Sequence, residues 1–186
     1  MSVFSDNKNE NFSVKLLNDV EKINSTLKES KLTFKKYEFY LEIYMINKNE
    51  NFSKIKNLSD IKEYAVIKDE NGKRSVVLNS KQSYEAKIYS IFLIRDVLYN
   101  FGFYELMYIN QDKYLYETKI NDKIINFEII DVKNQGCFLK CDNVSLDIFK
   151  NIIFILEENG IKIDRKNLKI DYFQNELNKV LYKRKK

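Results

Sequence analysis

The feature that most constrains this chain is a run of alternating residues near its start. Between Leu32 and Ile46, Tyr37, Phe39, Leu41, Ile43 and Met45 take every second position, with Glu38, Tyr40, Glu42 and Tyr44 between them. Successive side chains of a strand point to opposite faces. The segment therefore predicts a long β-strand with one apolar face and one carrying carboxylates and phenols.

The rest of the chain extends this into an α+β domain spanning residues 13 to 182. Residues 1 to 12 are polar and expected to be disordered, and Val14, Leu16, Leu17, Val20, Ile23 and Leu27 recur at helical spacing. Asn47 to Asp60 reads as a loop with a short helix starting near Ser59. Glu63 to Lys68 and Arg74 to Asn79 read as a hairpin turned at Asp69-Glu70-Asn71-Gly72, since Asn and Gly both tolerate positive φ. A strand from Tyr84 to Tyr89 and a helix from Phe92 to Phe101, stopped at Gly102, come next. Two or three strands are then expected over Leu106 to Ile109, Lys113 to Thr118 and Lys123 to Val132, with a further one at Cys137 to Cys141. A helix from Ser145 to Glu158, capped by Asn159-Gly160, a short strand and a helix from Tyr172 to Tyr182 complete a mostly antiparallel arrangement. No internal repeat or linker divides it.

Composition removes several chemistries. The chain has no His, so it lacks the usual general base near neutral pH and the commonest nitrogen ligand for zinc. Any catalysis must rest on carboxylates, Lys, Tyr or Cys. Cys137 and Cys141 lie four apart on a predicted strand, on one face but too far apart to bridge, and read as buried thiols. No apolar run is long enough to span a bilayer and the N-terminus lacks an apolar signal core, so a cytoplasmic protein is expected. The abundance of Lys, Asn and Ile without Trp or Pro is what an AT-rich bacterial or mobile-element coding sequence produces. Net charge is +5, and the tail Lys183-Arg184-Lys185-Lys186 supplies four of those charges. Such a tail either contacts phosphates or is a solvated terminus.

The order of elements, with three local matches, resembles the CYTH, or triphosphate tunnel, family. Lys36-Tyr37-Glu38-Phe39-Tyr40-Leu41-Glu42 falls on its opening Glu-x-Glu-x-Lys strand, and Phe101-Gly102-Phe103 on its helix ending in Leu-Gly-Phe/Tyr. Val132-x-x-x-Gly136-x-Phe138-Leu139 is similar to its Val-x-x-Leu-Gly-x-Phe segment. The resemblance covers roughly residues 35 to 182. It implies an eight-stranded, closed or nearly closed antiparallel β-barrel with flanking helices. In that family inward carboxylates hold Mg²⁺ or Mn²⁺, and Lys and Arg grip the triphosphate of a cyclase or triphosphatase substrate.

Against that pattern the candidate tunnel-lining residues are Glu38, Tyr40, Glu42, Lys68, Arg74, Glu85, Lys113, Lys140 and Asp142. Glu38 matches the first Glu of the opening motif, but Tyr40 replaces the second and Glu42 replaces the Lys. Lys68 stands for a family Arg, Asn79 for a Lys, and Glu85 for an inward Glu. Gln111-x-Lys113-x-x-Tyr116 keeps one of two positive charges, Ile130 falls on an Asp, and Lys140 occupies a metal-ligand position beside Asp142. If metal is bound, the resemblance assigns it to Glu38, Glu85 and Asp142.

These departures imply a degenerate, non-catalytic tunnel protein without a cofactor, binding a protein partner or a phosphorylated small ligand such as a nucleotide or polyphosphate. One alternative is a divergent triphosphatase or adenylyl cyclase in which Glu38, Glu42, Glu85 and Asp142 hold Mg²⁺ or Mn²⁺ while Lys68 and Lys113 orient a triphosphate. Another is an interaction protein acting on nucleic-acid machinery, such as a mobile-element inhibitor; direct nucleic-acid binding is disfavoured by the acidic residues mixed among the basic ones. The charged residues equally read as ion pairs that need no ligand. Tyr40, Tyr44, Tyr89, Tyr114 and Tyr116 read either as base-stacking residues or as strand packing.

Overall fold

A computed structural model describes residues 9–30, 32–79, 83–166 and 168–184. In chain order its elements are β1 (Glu10–Leu16), α1 (Val20–Lys28), β2 (Thr33–Asn47), β3 (Tyr64–Glu70), β4 (Lys73–Asn79), β5 (Ser83–Lys87) and α2 (Ile91–Asn100). They continue as β6 (Phe103–Ile120), β7 (Lys123–Val132), β8 (Gly136–Val144), α3 (Leu146–Glu158), β9 (Ile163–Asp164) and α4 (Tyr172–Arg184). Two single-turn 3-10 helices, Phe52–Lys54 and Leu58–Asp60, punctuate the loop after β2. The strands are hydrogen-bonded in the order β5, β4, β3, β2, β6, β7, β8, β1, β9. The sheet thus has nine strands where eight were expected, and among the described residues no pairing joins β5 to β9, so hydrogen bonds do not close it. Both edges are short strands, which limits the unpaired backbone they expose.

The chain forms two compact units. The first comprises residues 1–37 and 112–171, the second residues 38–111 and 172–186, and both β2 and β6 cross from one to the other.

In the first unit, β8 pairs with β1 and β7. Phe12, Val14 and Leu16 of β1, Phe127 and Ile129 of β7, and Cys137, Leu139 and Cys141 of β8 share one apolar face with Ile23 and Leu27 of α1 and Phe149, Ile152, Ile153 and Leu156 of α3. Phe12 stacks on Phe149 at 4.9 Å and Tyr116 on Phe127 at 5.7 Å. At ~1.5–3 kcal/mol for each fully buried large apolar side chain, the inner face of α3 alone is a major stabiliser. Each helix starts at a side-chain cap: Asp19 accepts from Lys22 N at 2.7 Å, and Ser145 accepts from Ile148 N at 3.4 Å.

In the second unit, Ile43 and Met45 of β2 and Ala65 and Ile67 of β3 carry the inner face of α2, with Val76 and Leu78 of β4 beside them. The β3–β4 turn is the tight one expected: Asn71 and Gly72 lie at φ 53° and 84°, as a two-residue hairpin with right-handed twist requires. Asp69 Oδ1 accepts from Gly72 N at 2.7 Å, fixing the turn from inside.

Two expectations need correction. Glu10 to Phe12 are not disordered, and Val14 and Leu16 are not helical; they lie in β1, and the helix begins at Val20. Residues 1–8 lie outside the described residues, as do Lys185 and Lys186, while Lys183 and Arg184 end α4. Of the two or three strands expected between Leu106 and Val132 the structure has two: Leu106 to Ile109 and Lys113 to Thr118 are one strand, because the polar residues between them find partners on other elements. Gln111 is buried and accepts from the Tyr172 hydroxyl at 3.2 Å, and Asp112 accepts from the Tyr37 hydroxyl. No helix is long and apolar enough to cross a membrane among the described residues.

Candidate functional site

The apolar face of β2 and β3 is covered by α2, so strand alternation puts their polar residues on the opposite face. Register extends that face across the second unit. Glu42 lies opposite Lys68, Lys68 opposite Ser75, and Ser75 opposite Lys87. In the next row Tyr44, Val66, Val77 and Glu85 succeed one another. Glu38, Tyr40, Glu42, Lys68 and Glu85 therefore share a face.

On it, Glu42 is engaged from two sides. The Tyr44 hydroxyl donates to Glu42 Oε2 at 2.8 Å, and Lys68 Nζ lies 3.9 Å from Oε1. Burial, and then the Glu42 charge, hold the Tyr44 phenol well above its ordinary value. Its ring packs edge-on against Phe173 at 4.9 Å, so Tyr44 is a packing residue. The Tyr40 hydroxyl donates to Glu38 Oε2 at 3.3 Å. Glu85 is exposed, two residues from Lys87.

Arg74 does not join them. It lies opposite Asp69, on the side of the sheet that carries Ile67 and Val76, where its Nε donates to buried Asp69 at 2.8 Å and its Nη1 to the Tyr89 carbonyl at 3.0 Å. Its guanidinium clasps the hairpin instead of offering a charge to the polar face.

In the first unit the corresponding polar face is built on β1, β7 and β8. Lys140 lies in register between Ser13 and Glu128, and its Nζ is 2.7 Å from Asp142 Oδ2. Ser13 Oγ and Glu128 Oε2 are buried without a hydrogen-bond partner among the described residues. An unmet buried polar atom costs ~1–3 kcal/mol. Ile130 faces Phe138 in the next row and keeps this surface partly apolar. Lys113 is half-buried on β6. Tyr116 belongs to the opposite face: it is buried, its hydroxyl donates to Asn24 Oδ1 at 2.8 Å, and burial pushes its phenol up to about 12.

No family model matches the sequence, and no curated protein matches it. Solved structures do. A Vibrio parahaemolyticus protein described provisionally as an adenylate cyclase superposes with a TM-score of 0.50 at 6% identity, over 92% of this chain and 98% of that one. The chain has the CYTH-like triphosphate tunnel fold. A protein of Pyrococcus horikoshii OT3 aligns at 19% identity and TM-score 0.48, over 91% of this chain and 98% of that one. An inorganic triphosphatase aligns at 10% and 0.48, over 92% and 94% respectively.

Within this CYTH-like chain, register brings together Glu42 with Lys68, alternation along β8 brings together Lys140 with Asp142, and Glu38, Tyr40 and Glu85 lie on the face of the first pair. Lys87, Ser75, Ser13 and Glu128 join these faces without having been anticipated. Lys87 and Ser75 follow from extending the hairpin register by one strand. Glu128 has a parity signal, two residues before Ile130, whereas Ser13 was hidden by the helical reading of its segment. Among the described residues no three Cys, Asp or Glu side chains form a cluster able to hold a metal ion.

Proposed function

We propose that this protein is a non-catalytic CYTH-like binder of a phosphorylated small ligand. The observation that carries this reading is the pairing of carboxylate with lysine on both polar faces: Glu42 with Lys68, and Asp142 with Lys140. Two-metal phosphoryl chemistry needs carboxylates whose oxygens are open to the ions. Here a lysine or a phenol already occupies oxygens of Glu42 and Asp142. Pairs at a solvent-accessible face are worth ~0–1 kcal/mol each, so a polyanion can displace a carboxylate at small cost. Lys68 and Lys87 flank Ser75 across three strands and would grip phosphate oxygens, with the serine hydroxyl donating between them.

The fold also supports a second reading, a divergent metal-dependent triphosphatase or cyclase, and one observation favours it. The buried, unpartnered Glu128 Oε2 beside Lys140 and Asp142 is an oxygen donor suited to Mg²⁺ or Mn²⁺. Glu128 would hold the ion and Lys140 would orient a phosphate.

The test is a thermal-shift and calorimetric titration of the full chain with tripolyphosphate, ATP and thiamine triphosphate, with and without Mg²⁺ or Mn²⁺. A ligand that binds only the native state raises Tm. The binding reading expects a Tm rise with a triphosphate that metal does not strengthen, reduced in Lys68→Glu, with no phosphate or cyclic nucleotide released. Metal-dependent turnover, lost in Glu38→Gln/Glu85→Gln or in Glu128→Gln, would establish the second reading instead. No shift with any ligand would overturn both and turn the search to protein partners.

A further inference from the structure

Helix α2 is apolar on most of its circumference. Ile91, Ile94 and Leu98 point inward at the three- and four-residue spacing of one helical face, packing on Ile43, Met45, Ala65 and Ile67. Outward, Phe92 is 76% exposed and Leu93 66%, and Tyr89 and Phe101 at the two ends are 97% and 75% exposed, with Val97 and Tyr99 also open. The helix carries two charged residues, Arg95 and Asp96, adjacent and of opposite sign, and Arg95 is held by Glu105 at 3.0 Å. Large apolar side chains left this open on one helix mark a surface that another molecule covers.

The pattern of the exposed residues narrows what covers them. Leu93 and Val97 lie one turn apart on the helix, and Tyr89, just before its N-cap Ser90, and Phe101, at its C-cap, extend the exposed apolar surface past either end. With aromatic side chains covering about 150–250 Å² each, the surface leaves roughly 700 Å² of apolar area open, beyond the about 300–600 Å² of an ordinary monomer's largest patch. It approaches the ~800 Å² that each subunit contributes to a stable interface. The two ends also differ in shape. At the N-terminal end Tyr89 and Phe92 protrude; at the C-terminal end, roughly 15 Å away for ten residues, lies a shallow, open depression lined by Lys48, Tyr99, Phe101 and Tyr104 among others.

We infer that α2 is a contact surface for a second copy of this chain, packed antiparallel about a two-fold axis near Leu93 and Val97. Tyr89 and Phe92 of each copy then reach the hollow beside Phe101 of the other. A knob at one end of a helix and a hollow at its other end are self-complementary under a two-fold axis, as an isologous interface requires. The absence of net charge on the helix gives a charged partner nothing to select.

Sedimentation velocity on the full chain tests this. The native protein is expected at twice 22.3 kDa and Leu93→Glu at 22.3 kDa with unchanged far-UV circular dichroism. Phe154→Glu, at an exposed apolar site on α3, should remain dimeric. If Leu93→Glu fails to fold, Tyr89→Ser, which removes an almost fully exposed ring, should weaken the dimer at least tenfold. A native protein that is monomeric at every attainable concentration, or a folded Leu93→Glu that stays dimeric, overturns the inference. A monomer that cosediments with phosphatidylcholine–phosphatidylserine vesicles and loses this in Leu93→Glu overturns it in favour of a lipid surface.

Discussion

Cys137 and Cys141 sit in the core beneath α1 and α3, and burial pushes both thiols upward, Cys137 to about 12. Asp131, whose Oδ1 is 3.6 Å from Cys137 Sγ, adds to the shift at Cys137. A raised thiol keeps its proton and reacts slowly, because the thiolate is the nucleophile. A thiol-disulfide reagent at pH 8 should therefore modify neither cysteine in the native protein and both in denaturant. The same burial makes stability pH-dependent, with Tyr116, also raised to about 12, contributing. The unfolded chain releases these protons first, from about pH 9 for the thiols, while the folded chain retains them. Their contribution is complete below pH 9 and is lost as pH rises from 9 towards 12. Urea midpoints at pH 8 and 10.5 should show that fall, and Cys137→Ser/Cys141→Ser should reduce its slope. Asp69 belongs to the same scale: buried, it accepts from Gly72 N and Arg74 Nε, so Asp69→Ala removes two hydrogen bonds, one of them to a charged group. A loss of ~1–3 kcal/mol is expected by chemical denaturation.

The β3–β4 hairpin shows what a local signal can specify. Asn71-Gly72 is sufficient because the turn needs two positive φ values and no partner from elsewhere, and a Cβ at Gly72 would meet open space. Gly72→Ala is consequently a test of backbone strain alone, with an expected cost of ~1–2 kcal/mol in urea unfolding. The helices α2 and α3 were legible for the same reason: apolar spacing and terminal caps lie within each segment. β1 was not, because Phe12, Val14 and Leu16 acquire their strand period only by pairing with β8, more than a hundred residues away. Nor was the continuity of β6, since Gln111 and Asp112 resemble a break until Tyr172 and Tyr37 supply their hydrogen bonds. Edge pairing by the two-residue β9 likewise depends on Lys15 and Leu16 being in a strand already.

For the molecule as a whole, parity made half of the candidate site readable. Alternation in β2 suffices to put Glu38, Tyr40 and Glu42 on one face, but only register removes Arg74 to the other side and adds Lys87. The functional question then turns on the sign of one charge. If Lys68 serves as an anion contact, Glu42 competes with the ligand for it, and Glu42→Gln should tighten tripolyphosphate binding. The gain is bounded at about fivefold, since an accessible pair is worth no more than ~1 kcal/mol. It should shrink as salt is raised, because the pair it relieves is itself screened. If Glu42 instead belongs to a metal-binding set, the same substitution removes a ligand, and metal-dependent binding should weaken. Asp142→Asn poses the same question for Lys140, whose Nζ lies 2.7 Å from Asp142 Oδ2. Calorimetry on the two variants, each with tripolyphosphate in the presence and absence of Mg²⁺, separates the two roles by direction alone: tighter binding without metal marks a carboxylate that competes with the ligand, and weaker binding with metal marks a carboxylate that holds the ion, as the enzyme reading requires.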